Sequence, residues 1–178
     1  MGYLAMMQLM MKILVLICTF LFTSSVCYSE EVTTYYFIRH AEKVRIDKTD
    51  DNPALNYDGI KRANNWKETF STVKLDAVYS TDYKRTQLTA APTADSKNLP
   101  VLLYDSSDMY SASFQHETKG KSVLVVGHSN TTNVFANKVL GLEQYKQIND
   151  RNNSNLYIVT VIGEKASSVL LKLTSGQL

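Results

Sequence analysis

The hydrophobic positions of the chain fall into short apolar runs, separated by polar stretches and by stretches with helical periodicity. Four runs are rich in Val, Ile, Leu and aromatic residues, as is typical of buried strands: 33–38, 75–79, 101–104 and 122–126. Helical spacing, or a capping residue before an apolar face, predicts four helices: 57–70, 83–91, 107–116 and 129–140. Two final runs surround Gly163 and predict a hairpin: 156–162 and 169–173.

Strands that alternate with helices indicate an α/β fold. We expect a three-layer sandwich with a mostly parallel central sheet, helices on both faces and the last hairpin antiparallel at an edge. Asn56 is the predicted N-cap of the first helix, and residues 80–82 are predicted to cap the second. Pro92 is expected to end or kink that second helix, and Gly141 to close the last one.

Length and composition limit the class of protein. The chain has 178 residues, of which 44% are hydrophobic and 20% charged. This is enough for one domain with a proper core but short for two. The net charge of +2 gives no case for a nucleic-acid partner.

The amino-terminal segment has the pattern of a secretory signal peptide. Lys12 is the only charged residue before Glu30, and it precedes an apolar run from Ile13 to Phe22. Small polar residues follow this run, as they do before a cleavage site. We therefore expect residues 1–29 to be a signal peptide that is cleaved near residues 27–30, and Met11 is an alternative start for it.

Cleavage would release residues 30–178 as a single domain to the periplasm or the exterior, with no stable membrane span. The alternative is an uncleaved anchor, which reaches spanning length only if residues 4–11 are counted, and we favour it less. Both cysteines, Cys18 and Cys27, lie in the segment to be removed. The mature domain is therefore expected to fold without an internal disulfide.

The ends of three predicted strands carry the candidate chemistry. Arg39 and His40 follow the first strand, Arg85 lies in the first turn after the second, and His128 and Asn130 follow the fourth. Each could have an ordinary structural role by itself. Carboxyl ends of parallel strands, however, meet at one edge of a sheet, where ligands bind. Two arginines and two histidines in one crevice would suit a dianionic phosphoryl group.

These residues stand in motifs that resemble those of the histidine phosphatase superfamily, which also contains the cofactor-dependent phosphoglycerate mutases. The motifs are these: Arg39-His40-Ala41-Glu42-Lys43, Leu55–Gly59, Tyr79–Asp82 with Arg85-Thr86, and Val126–Asn130. The resemblance covers the chain from about Thr33 onward. Ala41 stands where many members have Gly, but Ala occurs in the short phosphohistidine-phosphatase-like branch, which this chain resembles most.

The resemblance implies a role for each matching residue. His40 would be the nucleophile that becomes phosphorylated, and a cationic His128 would help to keep it neutral. Arg39, Arg85 and His128, with Asn130, would bind the phosphoryl oxygens. No metal and no cofactor is implied. The remaining histidine, His116, is expected to be a surface residue.

A general acid for the leaving group is expected after the third strand. Asp105 and Asp108 are the two candidates. Asp105 also suits an N-cap, and Asp108 also suits the first turn of a helix. The family's acid usually lies somewhat further beyond the second arginine, which favours Asp108 and leaves Asp105 as the alternative.

Spacing narrows the expected activity. Asp108 and His128 are separated by only about twenty positions, most of them needed for one helix of typical length. An open crevice without a lid admits water and favours an exported phosphatase of phosphomonoesters over a mutase. The alternatives are a phosphohistidine-protein phosphatase and a catalytically silent phospholigand-binding module. The partner would be a small phosphorylated substrate or a phosphoprotein, whose identity the sequence does not reveal.

Overall fold

The structure is a computed structural model that describes residues 2–21 and 30–173. The chain divides into two compact units, Met1–Glu30 and Glu31–Leu178. In the first unit, helix α1 (Gly2–Leu21) covers most of the predicted signal segment. The expected cleavage positions, residues 27–29, lie outside the described residues. Within the two described ranges, no helix combines the length and the apolar character needed to cross a membrane.

The second unit is built on a sheet to which residues 30–173 contribute six strands. The strands are β1 (Val32–Arg39), β2 (Ala77–Ser80), β3 (Val101–Leu103), β4 (Ser122–Gly127), β5 (Asn155–Ile162) and β6 (Lys165–Lys172). Their spatial order is β3-β2-β4-β1-β5-β6. The first four in this order are parallel, whereas β5 is antiparallel to both β1 and β6. This confirms the mostly parallel sheet with an antiparallel edge hairpin.

Four helices of this unit cover the two faces of the sheet. They are α2 (Tyr57–Thr69), α3 (Lys84–Ser96), α4 (Ala112–Thr118) and α5 (Thr132–Leu140). On one face, Trp66 of α2 and Ala90 of α3 pack against Leu124 of β4. On the other face, Phe114 of α4 and Phe135 of α5 pack against side chains of β1 and β4. The predicted three-layer arrangement is therefore confirmed.

The register of the central strands fixes where the chain leaves the sheet. Arg39 is paired with Gly127 across β1 and β4, so His40 and His128 emerge side by side. Ser80 of β2 is paired with Val126, which brings Thr81 next to them. Because β5 is antiparallel to β1, with Leu156 opposite Ile38, the residues before β5 also lie at this edge.

Several predicted boundaries are confirmed. The Asn56 side chain accepts a hydrogen bond from the Gly59 N–H at 2.9 Å, which caps α2. Gly141 ends α5 with a φ of 70°, a conformation that glycine adopts without strain.

A Cβ at Gly59 would overlap the carbonyl oxygen of Glu42, so this glycine allows α2 to lie close to the segment that follows His40.

The second helix differs from its prediction at both ends. No side chain of residues 80–82 caps α3, because Tyr83 occupies the N-cap position without a side-chain hydrogen bond. The helix also continues through Pro92 to Ser96. Proline costs one helical hydrogen bond, but Ala90 and Ala94 are fully buried on either side of it. Packing against the sheet therefore outweighs the local preference of the sequence to end there.

The helix predicted over 107–116 begins five residues later. The Asp105 carboxylate accepts hydrogen bonds from the backbone and hydroxyl of Ser107, at 2.8 and 2.7 Å, and so forms a local turn and not a helix cap. Ser111 caps α4 instead, by accepting from the Phe114 N–H. Asp108 consequently lies before the helix and not in its first turn.

Two further elements begin at residues other than those predicted. Helix α5 begins at Thr132 and not at residues 129–130, because the His128 carbonyl accepts from the backbone N–H groups of Thr131 and Thr132 in a turn that precedes it. Strand β6 begins at Lys165, four residues before its predicted start. Its early residues are polar, and pairing with β5, not hydrophobicity, holds them in the sheet.

Candidate active site

The carboxyl edge of the parallel strands forms a crevice of about 310 Å³. Five predicted site residues line it together: Arg39, His40, Arg85, His128 and Asn130. Arg39 and His40 come from the end of β1, Arg85 from the first turn of α3, and the other two from the segment between β4 and α5. The convergence follows from parallel strands that end at one level of the sheet.

His40 is held in one orientation and one tautomer. Its ring is only 4% exposed, and its Nδ1 lies 2.7 Å from the Ala41 carbonyl oxygen. A carbonyl oxygen can only accept, so Nδ1 carries the hydrogen and Nε2 keeps a free lone pair. The His40 carbonyl accepts from Nδ2 of Asn153 at 2.7 Å, and its N–H donates to Gly127. Nε2 is therefore the ring nitrogen that is available to act as a nucleophile.

The surroundings of His40 keep it uncharged. Burial lowers the pKa of the ring to about 3, and the positive charge of Arg39 and the nearby His128 and Arg85 act in the same direction. The Ala41 carbonyl opposes this shift without reversing it. A neutral imidazole is the form that can form a bond to phosphorus.

His128 faces His40, with ring centroids 5.4 Å apart at an angle of 65°. Its Nε2 lies 2.9 Å from Oγ1 of Thr81, which in turn is 3.0 Å from Oγ1 of Thr86. The Thr86 hydroxyl donates to the backbone carbonyls of Thr81 and Tyr83, so it accepts from Thr81. The Thr81 oxygen then accepts from an Nε2–H of His128. The chain of hydrogen bonds thus fixes the tautomer of the second histidine as well.

The expectation of a cationic His128 is corrected by the groups around it. Burial lowers the pKa of His128 to about 4, and the charges of Arg85, Arg39 and Lys43 add to this effect. With protein groups alone around it, the ring is neutral at pH 7. A dianion bound in the crevice would raise the pKa of His128, because a negative charge at close range favours the imidazolium form.

Arg39 is a buried guanidinium with most of its donors engaged. It is 2% exposed, and Nη2 donates to the Asp150 carboxylate at 2.6 Å. Nη1 donates to the carbonyls of Asn149 and Asn152 at 3.1 and 3.3 Å. Its Nε is buried and has no hydrogen-bond partner.

Arg85, like Arg39, has a buried Nε without a hydrogen-bond partner. Its guanidinium carbon lies 4.4 Å from the centre of the Tyr83 ring, a cation–π contact. Nη1 donates to the Asp51 carbonyl at 3.2 Å, while Nε is buried without a partner. Buried donors without acceptors are rare and costly. An oxyanion bound between the two arginines would gain charge-assisted hydrogen bonds from the guanidinium groups that line the crevice.

Sequence reasoning missed the segment 149–153. Asp150 lines the crevice, Asn149 and Asn152 hold Arg39, and Asn153 holds the His40 carbonyl. The signal was present as a run of polar residues directly before a predicted strand. Its meaning depended on β5 being antiparallel to β1, because only then does the start of β5 lie beside the end of β1. Lys43 was named only as part of a motif, Thr81 only as part of a motif and a predicted helix cap, and Tyr83 only as the start of a predicted helix.

The two candidate general acids lie outside the crevice. Asp105 and Asp108 are both exposed, and neither lines it, although Ser106 between them does. The only carboxylate among its described lining residues is Asp150, which is ion-paired with Arg39 and also with Arg45 at 3.0 Å. Burial acts to raise the pKa of Asp150, but its bonds and proximity to the two arginines hold that pKa below the usual range. The role of Asp108 stays a prediction.

Within residues 2–21 and 30–173, no group of three or more His, Cys, Asp or Glu side chains is placed to hold a metal ion. The positive charge in the crevice comes from protein side chains.

Comparison with known families agrees with the motifs. Residues 35–106 match the family model of the histidine phosphatase superfamily, branch 1. This segment includes Arg39, His40 and Arg85, while His128 lies beyond it. No curated protein matches the chain.

Solved structures share the fold. The protein histidine phosphatase SixA complexed with tungstate has a TM-score of 0.61 at 16% identity, over 78% of this chain and 96% of that one. Phosphoglycerate mutase from Bacillus anthracis has a TM-score of 0.63 at 13% identity, over 80% and 93%. Alpha-ribazole phosphatase from Shigella flexneri has a TM-score of 0.63 at 14% identity, over 79% and 96%. At these identities the similarity is one of fold.

We expect the His40 ring to stay neutral, with its hydrogen on Nδ1, from pH 8 down to about pH 4. Its pKa in the folded chain lies below the ordinary value of 6.5. As the pH falls through 6.5, unfolded chains therefore bind a proton that folded chains do not, and the free energy of unfolding decreases toward pH 4. Nitrogen chemical shifts of the two rings measure this directly. A midpoint near 6.5 for His40 in the folded protein would contradict the assignment.

Proposed function

We propose, since residues 35–106 match the family model of the histidine phosphatase superfamily, that the chain is a phosphatase that acts through a covalent phosphohistidine on His40. One observation carries this proposal. A neutral histidine with a free Nε2 faces two arginines, each of which has a buried donor without a partner. Such an arrangement suits a phosphoryl group that is attacked by the ring while its oxygens are bound by the arginines.

In the first step, Nε2 of His40 forms a bond to phosphorus as the bond from phosphorus to the leaving oxygen breaks. Charge develops on the three equatorial oxygens of the phosphoryl group. Arg39, Arg85 and His128 line the crevice and would stabilise that charge. Because they are fixed by packing and hydrogen bonds before substrate arrives, little reorganisation is needed.

In the second step, water attacks the phosphohistidine and releases orthophosphate. The access of water to the open crevice favours hydrolysis over transfer of the phosphoryl group to a second substrate molecule, as in a mutase. The segment between Tyr104 and β4 contains only the seven-residue helix α4, which is too short for a lid over the crevice. The SixA and ribazole-phosphatase neighbours are named as phosphatases, whereas another neighbour is a mutase.

We favour phosphomonoesters as substrates, because the crevice is open and the expected compartment is outside the cytoplasm. The SixA neighbours give support to the alternative, a phosphohistidine-protein phosphatase. A silent phospholigand-binding module would lack the nucleophile or an arginine, and both are present here. Assays of a phosphometabolite panel beside a phosphohistidine peptide would distinguish the three.

We also propose that the protein is exported after cleavage near Glu30, on the strength of the lone Lys12 before an uncharged apolar run. Mass spectrometry of the natively produced protein tests this. Export predicts an amino terminus close to Glu30 in the periplasmic or external fraction. An intact amino terminus in the cytoplasmic fraction would refute it.

We expect His40→Ala to abolish turnover of p-nitrophenyl phosphate and His128→Ala to lower it by about 10²–10³. The first removes the atom that bonds to phosphorus, and the second removes one charge-stabilising donor. His116→Ala is the matched control, since this exposed histidine of α4 is remote from the lining of the crevice. Rapid-quench labelling should trap phosphate on His40. Label on His128 instead would overturn the assignment.

The general-acid role predicted for Asp108 has a distinct signature. If Asp108 reaches the leaving oxygen during turnover, Asp108→Asn should slow alkyl phosphates by at least tenfold more than p-nitrophenyl phosphate, whose leaving group scarcely needs a proton. Asp105→Asn is the matched comparison. If only Asp105→Asn shows this selectivity, the two roles are exchanged; if neither does, the leaving group departs without a carboxylic acid from this segment.

A further inference from the structure

A second and larger concavity, of about 750 Å³, adjoins the catalytic crevice. We call it the outer groove. It shares Lys43 and Asp150 with the crevice, so the two spaces are neighbours. Arg45 and Arg151 also line it, and Val44 and Ile46 add apolar surface. In the chemistry proposed for His40, Asp150 acts only by holding Arg39, and the other lining side chains form no bond to the reacting phosphoryl group.

The acids of the outer groove are already neutralised. Both oxygens of Glu42 accept from Arg62, at 2.7 to 2.9 Å, and Arg62 does not line the groove. Asp150 is shared between Arg39 and Arg45. Two lining cations therefore remain without a carboxylate at ion-pair distance in the described part of the chain: Lys43 and Arg151.

Lys43 is the better fixed of these two cations. Its backbone is held in a β-bridge with Leu55, and the next residue, Val44, donates to the Ala54 carbonyl at 2.9 Å. Its side chain is half-buried at the junction of the two spaces. Burial lowers its pKa, and the charges of Arg85 and Arg45 lower it further. A cation held among other cations gains from a bound anion.

We propose that the outer groove binds a second anionic group of the substrate, with Lys43 and Arg151 as its ligands. The substrate class is then a small phosphoester that carries a second phosphate or a carboxylate, with its carbon skeleton against Val44 and Ile46. This rests on the proposed phosphatase function, because it places the transferred phosphoryl group at His40. Lys43 and Arg151 would then be specificity-determining residues.

The test compares competitive inhibitors of p-nitrophenyl phosphate hydrolysis that differ in one charge. Methylphosphonate carries one anionic group, whereas 3-phosphonopropionate carries a phosphonate and a carboxylate. We expect 3-phosphonopropionate to bind the wild-type protein at least about tenfold more tightly, the worth of one charge-assisted contact. The ratio of the two inhibition constants cancels any general change in phosphate affinity.

Variants of the lining residues test whether the outer groove causes this ratio of inhibition constants. Lys43→Met and Arg151→Met should each reduce it severalfold, the double variant should bring it near one, and Lys43→Arg should retain it. Lys121→Met is the matched control, because it removes one charge from an exposed lysine at the opposite end of β4. Arg151 is exposed, so its loss should not disturb folding.

Two results would overturn the inference: a ratio near one in the wild-type protein, or a ratio in Lys43→Met and Arg151→Met equal to that of Lys121→Met. Failure of the phosphatase proposal is separable from both. If p-nitrophenyl phosphate is not hydrolysed, calorimetry with the same two phosphonates measures the same ratio. The groove is then tested without any turnover.

Discussion

The buried guanidinium of Arg39 is the constraint on which the site depends. A charge that is 2% exposed must be compensated by close acceptors, or it destabilises the fold. Burial alone acts to lower the pKa of Arg39, and the hydrogen bond to Asp150 acts against it. The segment 149–153 supplies this carboxylate and two carbonyls. That segment is therefore bound to the end of β1, and Asn153 can hold the nucleophile's carbonyl from it.

The same crowding of charge explains the state of the histidines. Arginines that would bind an anion also repel protons from the two imidazoles beside them. The same groups that would bind an anion thus also keep the His40 ring uncharged. The cost falls on the folded state, which keeps cations close together and leaves two donors without partners. Functional sites commonly hold such local conflicts, which the rest of the core must outweigh.

The sequence contains most of the fold and the centre of the site, and the reasons are local. Val- and Leu-rich runs reveal buried strands, and parallel strands bring Arg39, His40, Arg85, His128 and Asn130 to one edge. The prediction that α3 ends or kinks at Pro92 was wrong, because the helix is stabilised by tertiary packing that the local sequence does not reveal. The start of α4 was missed because Asp105 and Ser107 satisfy each other in a turn. The segment 149–153 was missed because its place depends on strand pairing across more than a hundred residues.

The hydrogen bonds of His128 run in one direction, from its ring through Thr81 to Thr86 and then to backbone carbonyls. Every acceptor beyond Nε2 is occupied, so a proton that His128 gains must reside on Nδ1. Binding of a dianion is then linked to uptake of one proton from solvent, since the anion favours the imidazolium. Orthophosphate would be held more firmly in acid and released more readily as the medium becomes alkaline.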